Sequence, residues 1–412
     1  MNIALRKIIT AFLAAVILMS VLLTFCITSL NSDEQTASPP SGNHVTFTDK
    51  KSHVFHSGEL RGVWIPYFSL SCGDNMTEDT FKRNFDKIIT ICRSHGANTV
   101  FVQVRPNCDA AYPSEIFPFS DFYKISGKAP DYDPLAYMVS AAHRSGLEFH
   151  AWINPYRISS SKTIVPEDSP CKKWEYDDSK VIKYNGGLYM NPGSAEVRSL
   201  VIAGVKELAE NYDIDGVHMD DYFYAFTESQ YDKVGYDAYL ESVSSGSEAL
   251  SLEKWRCANV NTLISGIYKT VKSVDNDMLI GISPQGNPDN DITLGADVYS
   301  WCSQKGYIDY IAPQIYFNSD NPVCPYENTV RLWDEMITEK GVKLYIGLAL
   351  YKAGSDEDDG TWLTADNIIA SQIKYSRTAG ADGYILYSFD YLENEQTSSE
   401  MANYDELIST RR

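Results

Sequence analysis

The sequence predicts an α/β protein built as a parallel (β/α)8 TIM barrel, and three observations lead to this fold class. Eight short apolar segments recur from about residue 58 onward, and amphipathic helical patterns separate them. The chain has 412 residues, enough for a barrel that commonly needs roughly 250 or more. No GxGxxG fingerprint follows the first apolar segment, which disfavours an open nucleotide-binding sheet.

The N-terminal part differs in kind from the rest of the chain. Two basic residues precede residues 8–30, an apolar stretch without charge that is typical of an export signal. This stretch is also long enough to span a bilayer, so residues 1–30 are expected to be either a signal peptide or a membrane anchor. Residues 31–57 are polar and predict a disordered linker. We expect an exported protein, in the cell envelope or outside the cell, whose barrel occupies residues 58–412.

Each predicted barrel strand ends in a short polar or aromatic sequence. Catalytic groups of such barrels lie at the carboxyl ends of the strands and in the loops that follow, so a site is expected there. The eight predicted ends fall near Pro66, Arg105, Asn154, Asp220, Ser283, Tyr316, Leu348 and Phe389.

The predicted helices between these strands have recognisable starts and ends. Residues 77–95 carry apolar side chains at helical spacing, and Gly96 follows them. Asp133 and Pro134 are typical of the N-cap and the first residue of the next helix. A third helix is predicted around residues 197–208. Later helix ends are marked by Gly306, Gly341 and Gly380.

Composition excludes several classes of partner. The formal net charge is −20 and the pI is about 4.7, and Lys and Arg form no cluster of the kind that binds nucleic acid or an anionic membrane surface. The eight cysteines form no CxxC pair, so no metal site is predicted, and no cofactor is expected. A disulfide is compatible with export, but the spacing of the cysteines does not define a pairing.

The segment Asp215–Tyr224 contains the strongest indication of chemistry. Two adjacent carboxylates, Asp220 and Asp221, end a predicted buried strand, and aromatic rings follow at once. Burying charge is costly unless the site uses it. Adjacent residues of a regular strand point to opposite faces, but the chain turns at the last residue, so both acids are expected to reach one pocket. We therefore predict that Asp220 and Asp221 are the catalytic residues.

The other strand ends supply the residues that are expected to bind the substrate. Carboxylates, amides and flat aromatic rings converge on one rim of the predicted barrel. This combination suits a sugar, whose ring CH groups pack on aromatic faces while its hydroxyls bond to amides and carboxylates. The predicted substrate-binding residues are Trp64, Arg105, Asn107, Asp109, Asn154, Tyr156, His218, Tyr222, Gln314, Tyr316 and Asp390.

Six segments resemble the glycosyl-hydrolase-like 10 family of bacterial envelope proteins. They are ELRGVW at 59–64, VQVRP at 102–106, AWINPYR at 151–157, MNPG at 190–193, DGVHMDDYFY at 215–224 and IAPQIY at 311–316. The resemblance covers about residues 58–395 and implies a (β/α)8 barrel exported to the bacterial envelope. It also implies a glycoside hydrolase, with peptidoglycan strands stripped of their peptides as the expected substrate. The loop after the fifth strand, SPQGNP, departs from the family pattern, in which a more aromatic segment with Arg is expected.

The acid pair leaves two mechanisms open. Adjacent acids resemble the substrate-assisted hexosaminidases, in which the acetamido group of the sugar is the nucleophile. By that resemblance Asp220 orients the acetamido nitrogen, Asp221 protonates the leaving group, and Tyr316 bonds to the acetamido oxygen. In the alternative, Asp220 is the nucleophile of a two-carboxylate glycosidase that acts on another polysaccharide. Its acid would then be Asp109, Glu115 or Asp390. A non-catalytic glycan-binding protein of the envelope is a third interpretation.

Overall fold

The computed structural model describes residues 58–73, 76–125, 127–162 and 164–410. The predicted signal peptide or anchor (1–30) and the predicted linker (31–57) lie outside this part of the chain. Among the described helices, none is both long enough and apolar enough to cross a bilayer.

Eight parallel strands close into a barrel, which confirms the predicted fold class. The strands of the described chain are β1 (Leu60–Ile65), β2 (Thr99–Arg105), β3 (Glu148–Ile153), β4 (Arg157–Ser159), β5 (Val181–Tyr184), β6 (Gly187–Met190), β7 (Gly216–Met219), β8 (Leu279–Ile282), β9 (Tyr310–Ile311), β10 (Lys343–Leu348) and β11 (Gly383–Leu386). Around the barrel the order is β1, β2, β3, β7, β8, β9, β10 and β11, and β11 pairs with β1.

Helices surround this barrel. They are α1 (Glu78–Ser94), α2 (Pro134–Arg144), α3 (Ala195–Asn211), α4 (Lys233–Ser242), α5 (Leu252–Val274), α6 (Pro288–Thr293), α7 (Val298–Ser303), α8 (Tyr326–Met336), α9 (Glu357–Thr364), α10 (Ile368–Ala379) and α11 (Ser398–Ser409). Helices α1 and α2 pack against each other, as do α3 and α5, α8 and α10, and α10 and α11.

Strand residues alternate between two apolar layers. In β2, Val100 and Val102 belong to the larger layer between the strands and the helices. Phe101 points the other way and packs with Trp64 and Tyr310 inside the barrel. An interior filled in this manner is a packed core, so a ligand site is confined to the ends of the strands.

The helix ends agree with the sequence prediction. Thr77 caps α1 with its side chain, and Gly96 follows this helix with a φ of +78°. Asp133 caps α2, whose first residue is Pro134. Gly380 ends α10 in the left-handed conformation, which a residue without Cβ adopts at little cost. The predicted third helix is α3.

The sixth barrel strand is shorter than predicted. It was expected to end near Tyr316, but β9 ends at Ile311. Pro313 has no N–H with which to continue the ladder. Beyond it, Gln314 forms only isolated bridges to the neighbouring strand ends. Residues 312–316 therefore run along the barrel mouth with only single hydrogen bonds to the neighbouring strands, and the side chains of Gln314 and Tyr316 line the site.

Residues 157–190 contain a three-stranded antiparallel sheet in the order β4, β6, β5, which the sequence analysis does not predict. Asn185 and Gly186 join β5 to β6 with φ values of 46° and 78°. Positive φ at both residues of a two-residue turn is typical of a tight hairpin. The sheet follows β3 directly and therefore stands beside the carboxyl end of that strand.

The two ends of the described chain meet on one side of the barrel. Arg377 of α10 donates two hydrogen bonds, of 2.5 and 2.8 Å, to Glu59 just before β1. The Tyr404 hydroxyl of α11 donates to the carbonyl of His95 after α1, at 3.0 Å. Glu400 accepts hydrogen bonds from N–H groups in the first turn of α10. The last helix is therefore part of the barrel domain.

Candidate active site

A cavity of about 220 Å³ opens at the carboxyl ends of the barrel strands. We call it the central cavity. Every barrel strand except β2 contributes to its lining through its last residues or the segment after it. The lining residues are Trp64, Trp152, Asp220, Asp221, Tyr222, Ser283, Gln314, Tyr316, Tyr351 and Tyr387.

Asp220 follows β7 directly and is buried in the central cavity. His218 points into the barrel, so alternation along the strand brings Asp220 to the same side. Its Oδ2 accepts hydrogen bonds from Trp152 Nε1 at 3.1 Å and from Asn154 Nδ2. Its Oδ1 accepts from the N–H of Tyr222 at 3.3 Å. Three donors around one carboxyl favour its ionised form.

Asp221 is half-buried and lines the same cavity. The ladder of β7 ends at Met219, so strict alternation of side chains ends there as well. Gln314 Nε2 donates to Asp221 Oδ1 at 3.1 Å and to the carbonyl of Ser283 at 3.0 Å. Gln314, which follows β9, thereby fixes the Asp221 side chain across the end of β8.

The pKa values of both acids are raised. Burial raises the pKa of Asp220 to about 7, repulsion from the Asp221 carboxylate adds to the rise, and Arg157 opposes it. Burial also raises the pKa of Asp221, against the hydrogen bond from Gln314. Because two close, buried acids do not both ionise easily, the pair keeps a proton to a higher pH than a free carboxyl group does. A proton donor and a negatively charged oxygen therefore lie side by side.

Hydrogen-bonded rings form the floor beneath the acids. The indole N–H of Trp64 donates to His218 Nε2 at 3.0 Å, so the proton of the neutral imidazole is on Nδ1, which lies 3.0 Å from the Tyr310 hydroxyl. That hydroxyl is also 2.9 Å from His150 Nδ1. Burial lowers the pKa of His218, which keeps the ring neutral. Gly281 leaves room for Tyr310, because a methyl group there would lie 1.9 Å from the ring.

Four tyrosines line the central cavity. The ring centroids of Tyr316 and Tyr387 are 6.0 Å apart, and Tyr351 lies edge-on to both. Tyr222 is 50% exposed, and the guanidinium of Arg157 lies 5.5 Å from its ring. Burial, then the neighbouring tyrosines and the two acids, raises the pKa of Tyr316, so its hydroxyl stays protonated and can donate. Apolar ring faces beside polar groups suit a sugar.

The predicted binding residues that line the central cavity are Trp64, Tyr222, Gln314 and Tyr316. Asn154 and His218 lie behind this lining. Asn154 Oδ1 accepts hydrogen bonds from Gln103 Nε2 at 2.6 Å and from Arg157 Nη2 at 3.2 Å, while its own amide N–H reaches Asp220. Asn154 therefore positions the acid, and His218 supports the floor.

Arg105 and Tyr156, which were predicted to bind the substrate, do not line the central cavity. Strict alternation from Gln103 would turn Arg105 inward, but the register shifts between these residues, and Arg105 is level with Ile153. Its guanidinium faces the helix layer and lies over the ring of Phe117, 4.2 Å from the ring centroid. Tyr156 is buried in the outer apolar layer.

Asn107 and Asp109 line a second cavity, of about 190 Å³. It lies between the loop after β2 and the segments that follow β3 and β4, and we call it the outer cavity. Asp390 lines neither cavity; it is exposed and accepts a hydrogen bond from Ser69 Oγ at 2.7 Å. Glu115 is likewise exposed and outside both linings.

Several residues at the site were not selected from the sequence. Each lies at or just beyond the end of a barrel strand, so distance from a strand end is the signal that could have found it. Those in the lining are Trp152, Ser283, Tyr351 and Tyr387, and those behind it are Gln103 and Arg157. Within the described part of the chain, no group of three or more His, Cys, Asp or Glu side chains could hold a metal ion.

Known sequences similar to this one are glycosyl hydrolases or proteins resembling them. The profile of the family described as Glycosyl hydrolase-like 10 matches residues 59–364. Glycosyl hydrolase YngK of Bacillus subtilis (strain 168) is 35% identical over 331 residues, which are 73% of this chain and 62% of that protein. This chain thus spans less than two thirds of the length of YngK. Glycosyl hydrolase DigH of Escherichia coli (strain K12) is 30% identical over 426 residues, with 94% of each chain covered.

Solved structures with a similar fold include those of enzymes that cleave glycosidic bonds. The glycoside hydrolase domain of PgaB (BpsB) from Bordetella bronchiseptica has a TM-score of 0.58 at 15% identity, covering 84% of this chain and 98% of that one. The endo-β-1,4-mannanase from Thermotoga petrophila has a TM-score of 0.53 at 11% identity, covering 88% and 79%. At these identities the likeness is one of fold alone.

Proposed function

Because the chain belongs to the glycosyl hydrolase-like 10 family, we propose that it is a glycoside hydrolase acting on a glycan of acetamido sugars. The observation that carries the proposal is the convergence of two adjacent carboxyls, Asp220 and Asp221, on one cavity with aromatic walls. Peptidoglycan strands without peptides are the proposed substrate, since both of their sugars carry acetamido groups. Export by the N-terminal segment would bring the enzyme to this substrate, and is part of the proposal.

In the proposed first step, the acetamido group of the substrate is the nucleophile. Its carbonyl oxygen bonds to the anomeric carbon while the bond from that carbon to the leaving oxygen breaks. Asp221 transfers its proton to the leaving oxygen. Asp220, in its ionised form, accepts a hydrogen bond from the acetamido N–H, and the Tyr316 hydroxyl donates to the acetamido oxygen.

In the second step, water attacks the anomeric carbon of the cyclised sugar. The Asp221 carboxylate takes a proton from this water, so the acid of the first step is the base of the second. The bond between the anomeric carbon and the acetamido oxygen breaks, which restores the acetamido group. Two displacements at one carbon give a product that retains the configuration of the substrate.

The surroundings of the two acids support this division of roles. Three hydrogen-bond donors surround Asp220 and favour its charged form, as an acceptor for the acetamido N–H requires. Both acids have raised pKa values, so the pair can hold a proton. We assign it to Asp221, the less buried of the two, because the donors around Asp220 stabilise a negative charge there. The two-carboxylate alternative requires another acid in the cavity, and Asp109, Glu115 and Asp390 are all outside its lining.

Substitution of each acid by its amide tests the proposal. On peptide-free glycan strands, Asp220→Asn and Asp221→Asn should each lower kcat by on the order of 10²-fold or more, because acid–base catalysis typically contributes 10²–10⁴-fold. Asp237→Asn, which changes an exposed acid of α4 paired with Lys233, is the matched control and should turn over normally. Mass spectrometry of the new chain ends measures cleavage and identifies the bond that is cut.

Two further measurements separate the mechanisms. Asp221→Asn should still hydrolyse an aryl glycoside with an activated leaving group at a near-normal rate, because this substrate needs no general acid. Asp220→Asn should hydrolyse it slowly. A thiazoline mimic of the cyclised intermediate should inhibit the wild-type enzyme. Absence of that inhibition, with both variants inactive, would favour the two-carboxylate mechanism. Near-normal cleavage by both variants would refute the site, and glycan binding by a wild-type protein that does not cleave would favour the non-catalytic interpretation.

A further inference from the structure

The outer cavity resembles the central cavity in size and in make-up. Its volume is about 190 Å³, against about 220 Å³ for the central cavity. Both combine aromatic rings with hydrogen-bonding side chains, and both lie at the carboxyl ends of the barrel strands. The lining of the outer cavity includes Tyr67, Phe119, Phe122, Lys124, Ser160 and Lys162.

Aromatic rings at the edge of the outer cavity are exposed to solvent. Phe68 and Phe122 have exposed fractions of 53% and 38%. Tyr67 lies between them, with ring centroids 5.5 Å from Phe68 and 4.4 Å from Phe122. A cluster of exposed apolar rings is costly in water and marks a binding surface. The CH groups of a sugar ring pack on such faces.

Charged side chains in the outer cavity retain capacity for a ligand. Lys124 donates to Asp121 at 2.7 Å, and Lys162 lies 3.5 Å from the same carboxyl group. Each ammonium group has three N–H donors, so one carboxylate does not use all the donors of the two lysines. Their remaining N–H groups suit the hydroxyl and acetamido oxygens of a sugar.

A hydrogen-bonded chain connects the outer cavity to the catalytic acid. The backbone N–H of Tyr67 donates to Gln103 Oε1 at 3.3 Å, and Gln103 Nε2 donates to Asn154 Oδ1 at 2.6 Å. Asn154 in turn donates to Asp220. Two side chains, Gln103 and Asn154, thus link a residue that lines the outer cavity to the acid of the central cavity.

Arg157 bridges the same gap. Its Nε donates to the carbonyl of Pro106 at 2.7 Å, next to Asn107 in the outer lining. Its guanidinium lies over the ring of Tyr222 in the central lining. A chain of linked sugars that lies across Arg157 and Tyr222 would contact both cavities.

We propose that the outer cavity is a second sugar-binding subsite, which holds an acetamido hexose of the same glycan chain whose bond lies in the central cavity. This proposal rests on the proposed glycoside hydrolase function. The subsite makes binding depend on chain length, because short fragments fill the central cavity alone. The sugar in the outer cavity stacks on Tyr67 and Phe122.

Binding to oligomers of β-1,4-linked N-acetylglucosamine tests the subsite. In the full-length Asp221→Asn protein, the affinity for the hexasaccharide should exceed that for the disaccharide. Adding Phe122→Ala should weaken hexasaccharide binding by about tenfold, which corresponds to about 1.4 kcal/mol for the lost aromatic contact, and leave disaccharide binding unchanged. Tyr176→Ala is the matched control, because Tyr176 is 90% exposed and outside both cavities.

The subsite and the proposed hydrolase function fail in different ways. If Phe122→Ala weakens hexasaccharide binding but the wild-type protein cleaves no glycan, the subsite stands and the hydrolase function is wrong. If the wild-type protein cleaves glycan and Phe122→Ala leaves hexasaccharide binding unchanged, or weakens both ligands equally, the subsite is refuted. If neither oligomer binds, the subsite is refuted as well. In the active enzyme, Phe122→Ala should raise KM for long strands with kcat almost unchanged.

Discussion

Ionisation of Asp220 destabilises the folded protein, because burial raises the pKa of this carboxyl to about 7 from an unfolded value near 4. The protonated side chain therefore contributes stability that the ionised one does not. The contribution is fully present below the unfolded pKa and is lost as the pH rises through 7. The amide of Asp220→Asn does not ionise, so the variant does not lose this stability as the pH rises. We expect the variant to gain unfolding free energy relative to wild type, by about 2–4 kcal/mol more at about pH 8 than at about pH 4.5. Urea unfolding at both pH values measures it, and equal effects would contradict the raised pKa.

The proton shared by the acid pair also limits activity at high pH. In the proposed mechanism Asp221 must be protonated to act, and burial raises its pKa. We expect kcat/KM on glycan strands to hold up to near-neutral pH and then to fall by about tenfold per pH unit once the pair has lost its proton. A profile measured from about pH 5 to about pH 9 checks this. A kcat/KM that stays constant to the alkaline end would show that no acid of raised pKa is required.

At the same scale, the sequence allowed the acid pair to be predicted but not the orientation of Arg105. Two carboxylates at the end of an apolar strand are unfavourable without a use, and this energetic argument needs no coordinates. The inward or outward direction of Arg105 depends on a register shift between β2 and β3. A β-bulge adds one residue without changing the apolar pattern around it, so alternation alone assigns the wrong face.

Gly281 sets the position of the barrel floor from within β8. A methyl group at this residue would lie 1.9 Å from the ring of Tyr310, whose hydroxyl contacts His218. We expect Gly281→Ala to destabilise the protein by about 2–3 kcal/mol and to lower activity, because the ring must move. Gly341→Ala is the control, since its nearest atom would be 3.9 Å away. Thermal unfolding compares the two, and equal stabilities would contradict the contact.

Two loops near the site each carry a cysteine, and the two cysteines are close enough to form a disulfide. Cys108, after β2, and Cys171, between β4 and β5, are buried with their sulfur atoms 3.6 Å apart. Oxidised glutathione should convert these thiols to a disulfide and release two molecules of reduced glutathione. Closing a loop of 63 residues should raise the melting temperature by about 5 °C.

Peptide mapping without reductant checks the link between Cys108 and Cys171. The Cys171→Ala variant should not gain thermal stability from the oxidant. If both cysteines of the oxidised protein can still be alkylated after denaturation, no disulfide has formed.

Among the elements, the barrel strands and the capped helices could be predicted, whereas the sheet of β4, β5 and β6 could not. Barrel strands are marked by apolar runs that must face a core on both sides. The three inserted strands have three or four residues each, too few for a recognisable alternation. The shortened β9 depends on Pro313, which interrupts the ladder while the apolar pattern continues.

For the molecule as a whole, we expect the C-terminal helix α11 to stabilise the barrel. Met401 and Tyr404 are buried, and Glu400 accepts hydrogen bonds from the start of α10. Ending the chain after residue 395 should therefore lower the unfolding free energy by about 5 kcal/mol or more. Calorimetry of chains 51–395 and 51–412 measures the difference. Equal melting temperatures would show that the barrel is complete without α11.

Strand β1 cannot complete its pairing until β11 has been synthesised, because the two strands are neighbours in the barrel. Gly383 must be synthesised before β1 can pair on both sides. Tyr404 must be synthesised before its hydroxyl can bond to the chain after α1. Until then the nascent chain keeps open strand edges, which attract chaperones or other chains. Folding of the barrel is therefore completed only after Tyr404 has been synthesised. Until then the chain remains unfolded enough to pass through a narrow channel.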